Sequence, residues 1–203
     1  MDIKVLFPTL VAVSQADGPT MAAIQAEVLA REAQIKSLLR PAWGDQVYSS
    51  FEAERHLFAA AGLHRLREFV EAHVLEFVAR TRESSADLVF DEAYSQSWIN
   101  VTTRFGYQER HNHEREAVGL PISGAFYFRT NGQDGDLSIM PVDMQTRLFD
   151  PEVIAPAVGR LVLFRSEVFH RVGANLTDSD RISFSFNYLL RSEELGTAAT
   201  PVR

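Results

Sequence analysis

Two of the chain's six histidines stand two positions apart, in Gln108-Glu109-Arg110-His111-Asn112-His113-Glu114-Arg115-Glu116. In an extended segment alternate side chains point the same way, so the imidazoles of His111 and His113 can converge on one point. Imidazole is a ligand of zinc, copper, iron and nickel, and an open metal site needs about three protein ligands. Alone, such a pair is as easily part of a wet loop. Two later residues give it company: His170, in the mostly apolar run Phe164-Arg165-Ser166-Glu167-Val168-Phe169-His170-Arg171-Val172, and Arg181, which opens a further strand. A lone histidine beside apolar residues is ordinarily a satisfied core residue, so His170 counts as a ligand only where the fold brings it to the other two.

The segment Arg181 to Leu190 alternates strictly. Ile182, Phe184, Phe186 and Tyr188 face one way, and Arg181, Ser183, Ser185 and Asn187 the other. Its polar face meets either solvent at a sheet edge or a lined cavity. In a cavity, the planar guanidinium of Arg181 can clamp a carboxylate, with Ser183 adding a hydrogen bond from the same face.

Bulk properties narrow the possibilities. A length of 203 residues suits one domain with a real core, and 46% hydrophobic with 23% charged residues is ordinary for a globular chain. A net charge of −7 argues against nonspecific nucleic-acid binding, which needs lysine and arginine to meet phosphates. The chain has no cysteine, which excludes disulfides, thiolate metal sites and a cysteine nucleophile. Any metal must be held by nitrogen and oxygen. The start, Met1 to Pro8, lacks the apolar run of a signal peptide, and nowhere do about eighteen apolar residues run together. A cytoplasmic protein with no membrane segment is the expectation.

The elements that must position these residues come in two groups. An opening strand is expected over Lys4 to Val13, then an amphipathic helix over Met21 to Leu39, carried by Met21, Ile24, Val28, Ile35 and Leu38 and stopped by Pro41. Ser49-Ser50-Phe51-Glu52 has the pattern of a capping box opening a second helix. Gly62 should break that helix, which resumes with Leu66, Phe69, Val70, Val74 and Phe77 on one face. His56, His64 and His73 fall in these segments without convergent partners and read as surface or packing residues. After Ser85 the character turns to strands: Ala86 to Tyr94, Gln96 to Arg104, and Ile122 to Thr130. Asn131-Gly132 signals a type I′ hairpin turn into Asp136 to Met140. Pro141 to Pro156 reads as a long loop and a candidate substrate lid. Gly159 to Phe164, Glu167 to Val172 and Arg181 to Leu190 complete the set, and the tail after Arg191 should fray. Helices first and short strands after predict an α+β chain of one domain. About 1–85 would be a strand plus helices, and about 86–191 a double-sheet jelly roll or barrel. Apolar helix faces can pack on the barrel or on a second copy, which leaves a homodimer open.

His-x-His, a distant His, then Arg-x-Ser eleven residues later resembles the bacterial and phage family of 2-oxoglutarate- and iron(II)-dependent oxygenases. The resemblance covers most of the chain: Leu6-Phe7-Pro8-Thr9, Ser97-Trp98-Ile99-Asn100-Val101, His111-Asn112-His113, Ser123-Gly124-Ala125-Phe126-Tyr127-Phe128, Gly159-Arg160-Leu161-Val162-Leu163-Phe164, His170-Arg171-Val172 and Arg181-Ile182-Ser183-Phe184-Ser185-Phe186-Asn187. It implies a double-stranded β-helix with N-terminal helices packed on it. It also implies Fe(II) as metal, 2-oxoglutarate as cosubstrate and dioxygen as oxidant. The reaction would couple oxidative decarboxylation of 2-oxoglutarate to removal of hydrogen from a substrate. By the resemblance His111 and His170 are metal ligands, Arg181 and Ser183 bind the distal carboxylate, and Tyr127 reaches the same carboxylate. Asn100 and Asn187 would face the cavity.

His113 departs from the pattern, because the superfamily places Asp or Glu there. A third imidazole makes the site one charge more positive; Glu114 or Glu116 is the alternative anionic ligand. Two other readings keep the architecture. One is a cupin-like three-histidine metalloenzyme with no use for 2-oxoglutarate, the other a non-catalytic jelly-roll binding protein.

Overall fold

The computed structural model describes residues 9–81, 88–113, 119–140 and 151–192. Strand β1 (Val11–Gln15) is the described part of the opening strand, residues 1–8 lying outside the described residues. Helix α1 (Gly18–Ala30) starts at Asp17, whose carboxylate accepts the Thr20 amide at 2.8 Å, with Pro19 in the first turn where its missing N–H leaves nothing unpaired. The expected single helix to Leu39 is two. The Arg31 amide bonds back three residues to the Val28 carbonyl, which tightens the turn and ends α1 before α2 (Glu32–Leu38) resumes.

The capping-box reading at Ser49 fails. β2 (Arg40–Ala42) and β3 (Gly44–Ser49) form a hairpin turned at Gly44 (φ +67°), and the Ser49 hydroxyl accepts the Phe51 amide at 3.2 Å as β3 ends. Helix α3 (Leu57–Ala60) begins only after His56. Gly62 (φ +64°) ends it, and α4 (His64–Thr81) buries Leu66, Val70, Val74 and Phe77, the face read from the sequence.

The remaining strands are β4 (Leu88–Phe90), β5 (Gln96–Thr102), β6 (Gln108–His111), β7 (Leu120–Arg129), β8 (Leu137–Ile139), β9 (Glu152–Ile154), β10 (Arg160–Arg165), β11 (His170–Val172) and β12 (Arg181–Ser192). They form two antiparallel sheets. The larger runs β1-β10-β7-β12-β5-β3-β2, with β4 added to β12; the smaller runs β6-β11-β8-β9. Strands distant in sequence thereby become neighbours, the arrangement of a double-stranded β-helix.

Two further expectations change. Asn131-Gly132 does not close a hairpin, since β7 belongs to the large sheet and β8 to the small one. The Asp134 carboxylate takes the Thr130 hydroxyl at 2.6 Å and the Asn131 amide at 3.0 Å, and this side-chain turn carries the chain across between sheets. The segment read as one loop from Pro141 to Pro156 ends in strand β9, paired to β8. Residues 141–150 of the candidate lid, Pro141 to Pro156, and the tail from 193 lie outside the described residues.

The large sheet has two different faces. One packs on the helices: Phe126, Leu161, Phe184 and Phe186 meet Ile24, Leu57, Val70 and Val74 in the main core. The other looks across to the small sheet, where Tyr127, Val162 and Phe164 pack on Leu137, Ile139 and Ile154. The alternation of β12 is the reason. Phe184, Phe186 and Tyr188 go into the helix-side core, while Arg181, Ser183, Ser185 and Asn187 go into the space between the sheets. Among the described residues no helix is long and apolar enough to cross a membrane.

Candidate metal centre

Between the sheets lies a cavity of about 660 Å³ whose lining includes His111, His113, His170, Tyr127, Arg181 and Ser183. Antiparallel pairing of β6 with β11 puts His111 directly opposite His170. Beyond the end of β6 the His113 amide donates to the Ser166 carbonyl at 2.9 Å, holding the third imidazole beside the other two. The ring centroids are 4.3, 5.0 and 5.1 Å apart, and one nitrogen from each ring lies within 4.8 Å of the others. Among the described residues this is the one such cluster of metal-ligating side chains. Glu114 and Glu116 lie outside the described residues.

Two of the rings are prepared as neutral ligands. Nδ1 of His111 lies 2.7 Å from the Glu109 carbonyl, and Nδ1 of His170 3.0 Å from the Val168 carbonyl. A carbonyl only accepts, so each Nδ1 carries the proton and each Nε2 keeps its lone pair for a metal. Burial holds His111 below the usual histidine range. Burial, then the neighbouring His111, pushes His170 down to about 4. Aromatic rings wall the site, with Phe164 4.7 Å from His170, Trp43 5.1 Å from His111 and Trp98 5.9 Å from His113.

Arg181 is only 2% exposed. Its Nη1 donates to the Asp134 carbonyl and, at 2.8 Å, to that of Gly135; its Nη2 donates to the Thr102 hydroxyl at 3.3 Å. A guanidinium has five N–H donors. Those three bonds leave two without a protein acceptor among the described residues. Burial lowers its pKa, yet arginine stays charged at any working pH. Ser183 stands in register with Tyr127 across β12 and β7, and burial pushes the Tyr127 phenol up to about 12, a neutral O–H donor. A buried cation with donors to spare, beside a hydroxyl and a phenol, fits a carboxylate.

Asn100 also lines the cavity, its amide donating to the Ser185 hydroxyl at 3.1 Å. His56, His64 and His73 take no part in the lining. Reading the sequence missed Trp43, because Pro41 was taken as a helix stop rather than the start of a hairpin. It also missed the backbone carbonyls that seat Arg181, which carry no side-chain signal.

This geometry is that of a jelly roll whose cavity brings a candidate metal site and a buried arginine together. Residues 96–187 match the family described as "Putative 2OG-Fe(II) oxygenase". The solved structures agree in fold. A Pseudomonas putida prolyl-4-hydroxylase aligns with TM-score 0.62 and 16% identity, over 89% of this chain and 92% of that one. A prolyl hydroxylase from Trichoplax adhaerens, in complex with a hypoxia inducible factor oxygen degradation domain peptide fragment, gives 0.62 and 13%, over 94% and 87%. HygX from Streptomyces hygroscopicus, with nickel and 2-oxoglutarate bound, gives 0.56 and 13%, over 89% and 83%. No curated protein matches in sequence. Residues 96–187 are thus similar to the 2OG-Fe(II) oxygenases, and the solved structures share the fold of the whole chain.

Proposed function

We propose that His111, His113 and His170 hold Fe(II), and that Arg181, assisted by Ser183 and Tyr127, binds the distal carboxylate of 2-oxoglutarate, in a hydroxylase-type oxidation. The observation that carries this reading is the meeting of three imidazole nitrogens within 4.8 Å in the same cavity as a buried arginine with unused donors. When bound, iron and 2-oxoglutarate supply the oxidising chemistry, using dioxygen. The chain's own residues orient and protect. The carbonyls of Glu109 and Val168 fix two imidazole tautomers, and Phe164, Trp43 and Trp98 limit water around the rings.

Arg181 disfavours the cupin-like reading, since a buried cation facing a cavity is costly without an anion to meet it. HygX, solved with nickel and 2-oxoglutarate, supports the same pairing of metal and oxo acid on this fold. The proposed compartment is the cytoplasm, whose reducing conditions keep iron ferrous. The test is anaerobic: ferrous iron is added, then 2-oxoglutarate, and the visible charge-transfer band is recorded. A band supports the oxygenase; metal uptake without one would turn the reading to a three-histidine enzyme that does not use 2-oxoglutarate. No uptake at all would leave a binding protein.

A further inference from the structure

Among the described residues the outer strands are β1 and β2 at the two sides of the large sheet, β4 beside β12, and β6 and β9 at the sides of the small one. An outer strand offers a row of unpaired N–H and C=O groups, and folded chains blunt such rows with short strands, charge or proline. β2, β4 and β9 have three residues each, and β2 holds Arg40 and Pro41. β6 holds Glu109 and Arg110. β1 is the exception. Its five residues, Val11-Ala12-Val13-Ser14-Gln15, include neither charge nor proline, and Val13 keeps 53% of its surface.

One hydrogen bond fixes where the free groups of β1 point. The strand runs antiparallel to β10 with Gln15 opposite Arg160, and the next amide, that of Ala16, donates to the Gly159 carbonyl at 2.9 Å. Bonding alternates along an antiparallel ladder, so Ser14 and Ala12 turn to β10 as Ala16 does. Val11, Val13 and Gln15 therefore aim their backbone groups away from the sheet. Beside this edge, a groove of about 430 Å³ lies between β1 and α4. Phe77, Leu161 and Leu163 line it together with Glu76 and Arg80, an exposed ion pair one helical turn apart at 3.2 Å.

We propose that β1 is the seam of a homodimer, in which two copies pair antiparallel, β1 on β1, about a twofold axis at Val13. A row that aims alternate residues outward matches itself when reversed: Val13 meets Val13, and Val11 of one copy meets Gln15 of the other. The same reversal runs α4 antiparallel to its copy, so Glu76 of each chain faces Arg80 of the other. That self-complementary charge selects a second copy as the occupant, and the uncharged strand lets two chains of net charge −7 meet without repulsion at the seam. β2 lies at the far end of the large sheet, and Arg40 and Trp43 of its hairpin line the cavity, so both cavities stay open in the dimer. The inference stands apart from the metal and 2-oxoglutarate reading.

The experiment is analytical ultracentrifugation of metal-free protein across the micromolar range, where the parent should show twice the chain mass. Val13→Lys, at a side chain already half exposed, should be monomeric with the circular dichroism of the parent. Arg80→Glu should raise the dimer dissociation constant about two- to fivefold for each of the two symmetric pairs, and adding Glu76→Arg should restore it. The chain has no cysteine, so Val13→Cys treated with a short bifunctional maleimide should link two chains, whereas Leu176→Cys, at a residue 67% exposed in the loop before β12, should not. A monomeric parent whose Val13→Cys thiol is shielded from the reagent would overturn the proposal by giving the edge to another part of the same chain. A dimer indifferent to both Val13→Lys and Arg80→Glu, or equal linking of the two cysteine variants, would overturn it by placing the seam elsewhere.

Discussion

His111 and His170 face each other as direct partners across antiparallel strands β6 and β11, their ring centroids 4.3 Å apart. Burial holds both rings below the usual histidine range, and for His170 the neighbouring His111 lowers it further.

That relationship has a consequence for acid stability. His170 titrates near 4 when folded and near 6.5 when unfolded, so below pH 6.5 the unfolded chain takes up a proton that the native chain refuses. Stability of metal-free protein is therefore unaffected by His170 above about pH 6.5 and falls as pH drops from there toward 4, by about 3 kcal/mol at most for this residue. Urea midpoints in chelator between pH 7.5 and 4.5 should fall less steeply for His170→Gln than for the parent. Parallel slopes would contradict the buried neutral imidazole.

Removing any one of the three imidazoles by alanine should lower metal affinity by at least roughly a hundredfold, the upper end of what even outer-shell changes cost. His113→Asp is the informative exchange, since it installs the carboxylate that the superfamily pattern expects. It should still bind Fe(II), as read by metal analysis after desalting, and should lower the site's charge by one unit. A variant that loses the metal altogether would show that the geometry around His113 accepts only an imidazole.

Arg181 owes its place to a backbone seat rather than to an opposing carboxylate. A Cβ on Gly135 would lie 2.1 Å from the Gly173 carbonyl and 2.8 Å from the Arg181 Nη1, at a φ of +102° that favours glycine. Gly135→Ala should destabilise the fold and also weaken 2-oxoglutarate binding by displacing the guanidinium. Arg181→Ala should weaken binding by about 2–5 kcal/mol, and Arg181→Lys should recover little, because an ammonium has no planar fork to fill the seat. Calorimetry with 2-oxoglutarate on metal-loaded protein checks all three. Parent-like binding in Arg181→Ala would remove the arginine from the site.

The chain has two tryptophans, and each ring touches a histidine of the cluster, Trp43 at His111 and Trp98 at His113. Intrinsic fluorescence should therefore report on the metal directly. Adding Co(II) or Ni(II), whose open d-shells quench nearby indoles, should remove most of the emission, and Trp43→Phe should leave a signal that is still quenched. Unquenched emission at saturating metal would place the ion away from the imidazoles.

Local pattern was enough for much of this molecule. Leu66, Val70, Val74 and Phe77 mark one face of a helix whatever it packs on, and the period of two along Arg181 to Tyr188 separates a core face from a polar one without reference to any other strand. The spacing of His111 and His113 made them candidates, because their relation is set within three residues. Where sequence reading failed, a non-local partner had overridden a local signal. Ser49 looked like a helix cap but ends a strand paired to β5, and Asn131-Gly132 looked like a hairpin but Asp134 turns the chain into the other sheet.

What the amino-acid order determined by itself was the supply of chemistry: imidazole and carboxylate ligands, a polar strand face headed by arginine, and no thiol. What only the tertiary structure decided was which of those groups meet. His170 lies 59 positions from His111, and strand pairing alone brings their rings together. Arg181 is held by carbonyls 46 and 47 residues away, a partnership of backbone atoms that every residue possesses and that no side-chain pattern announces.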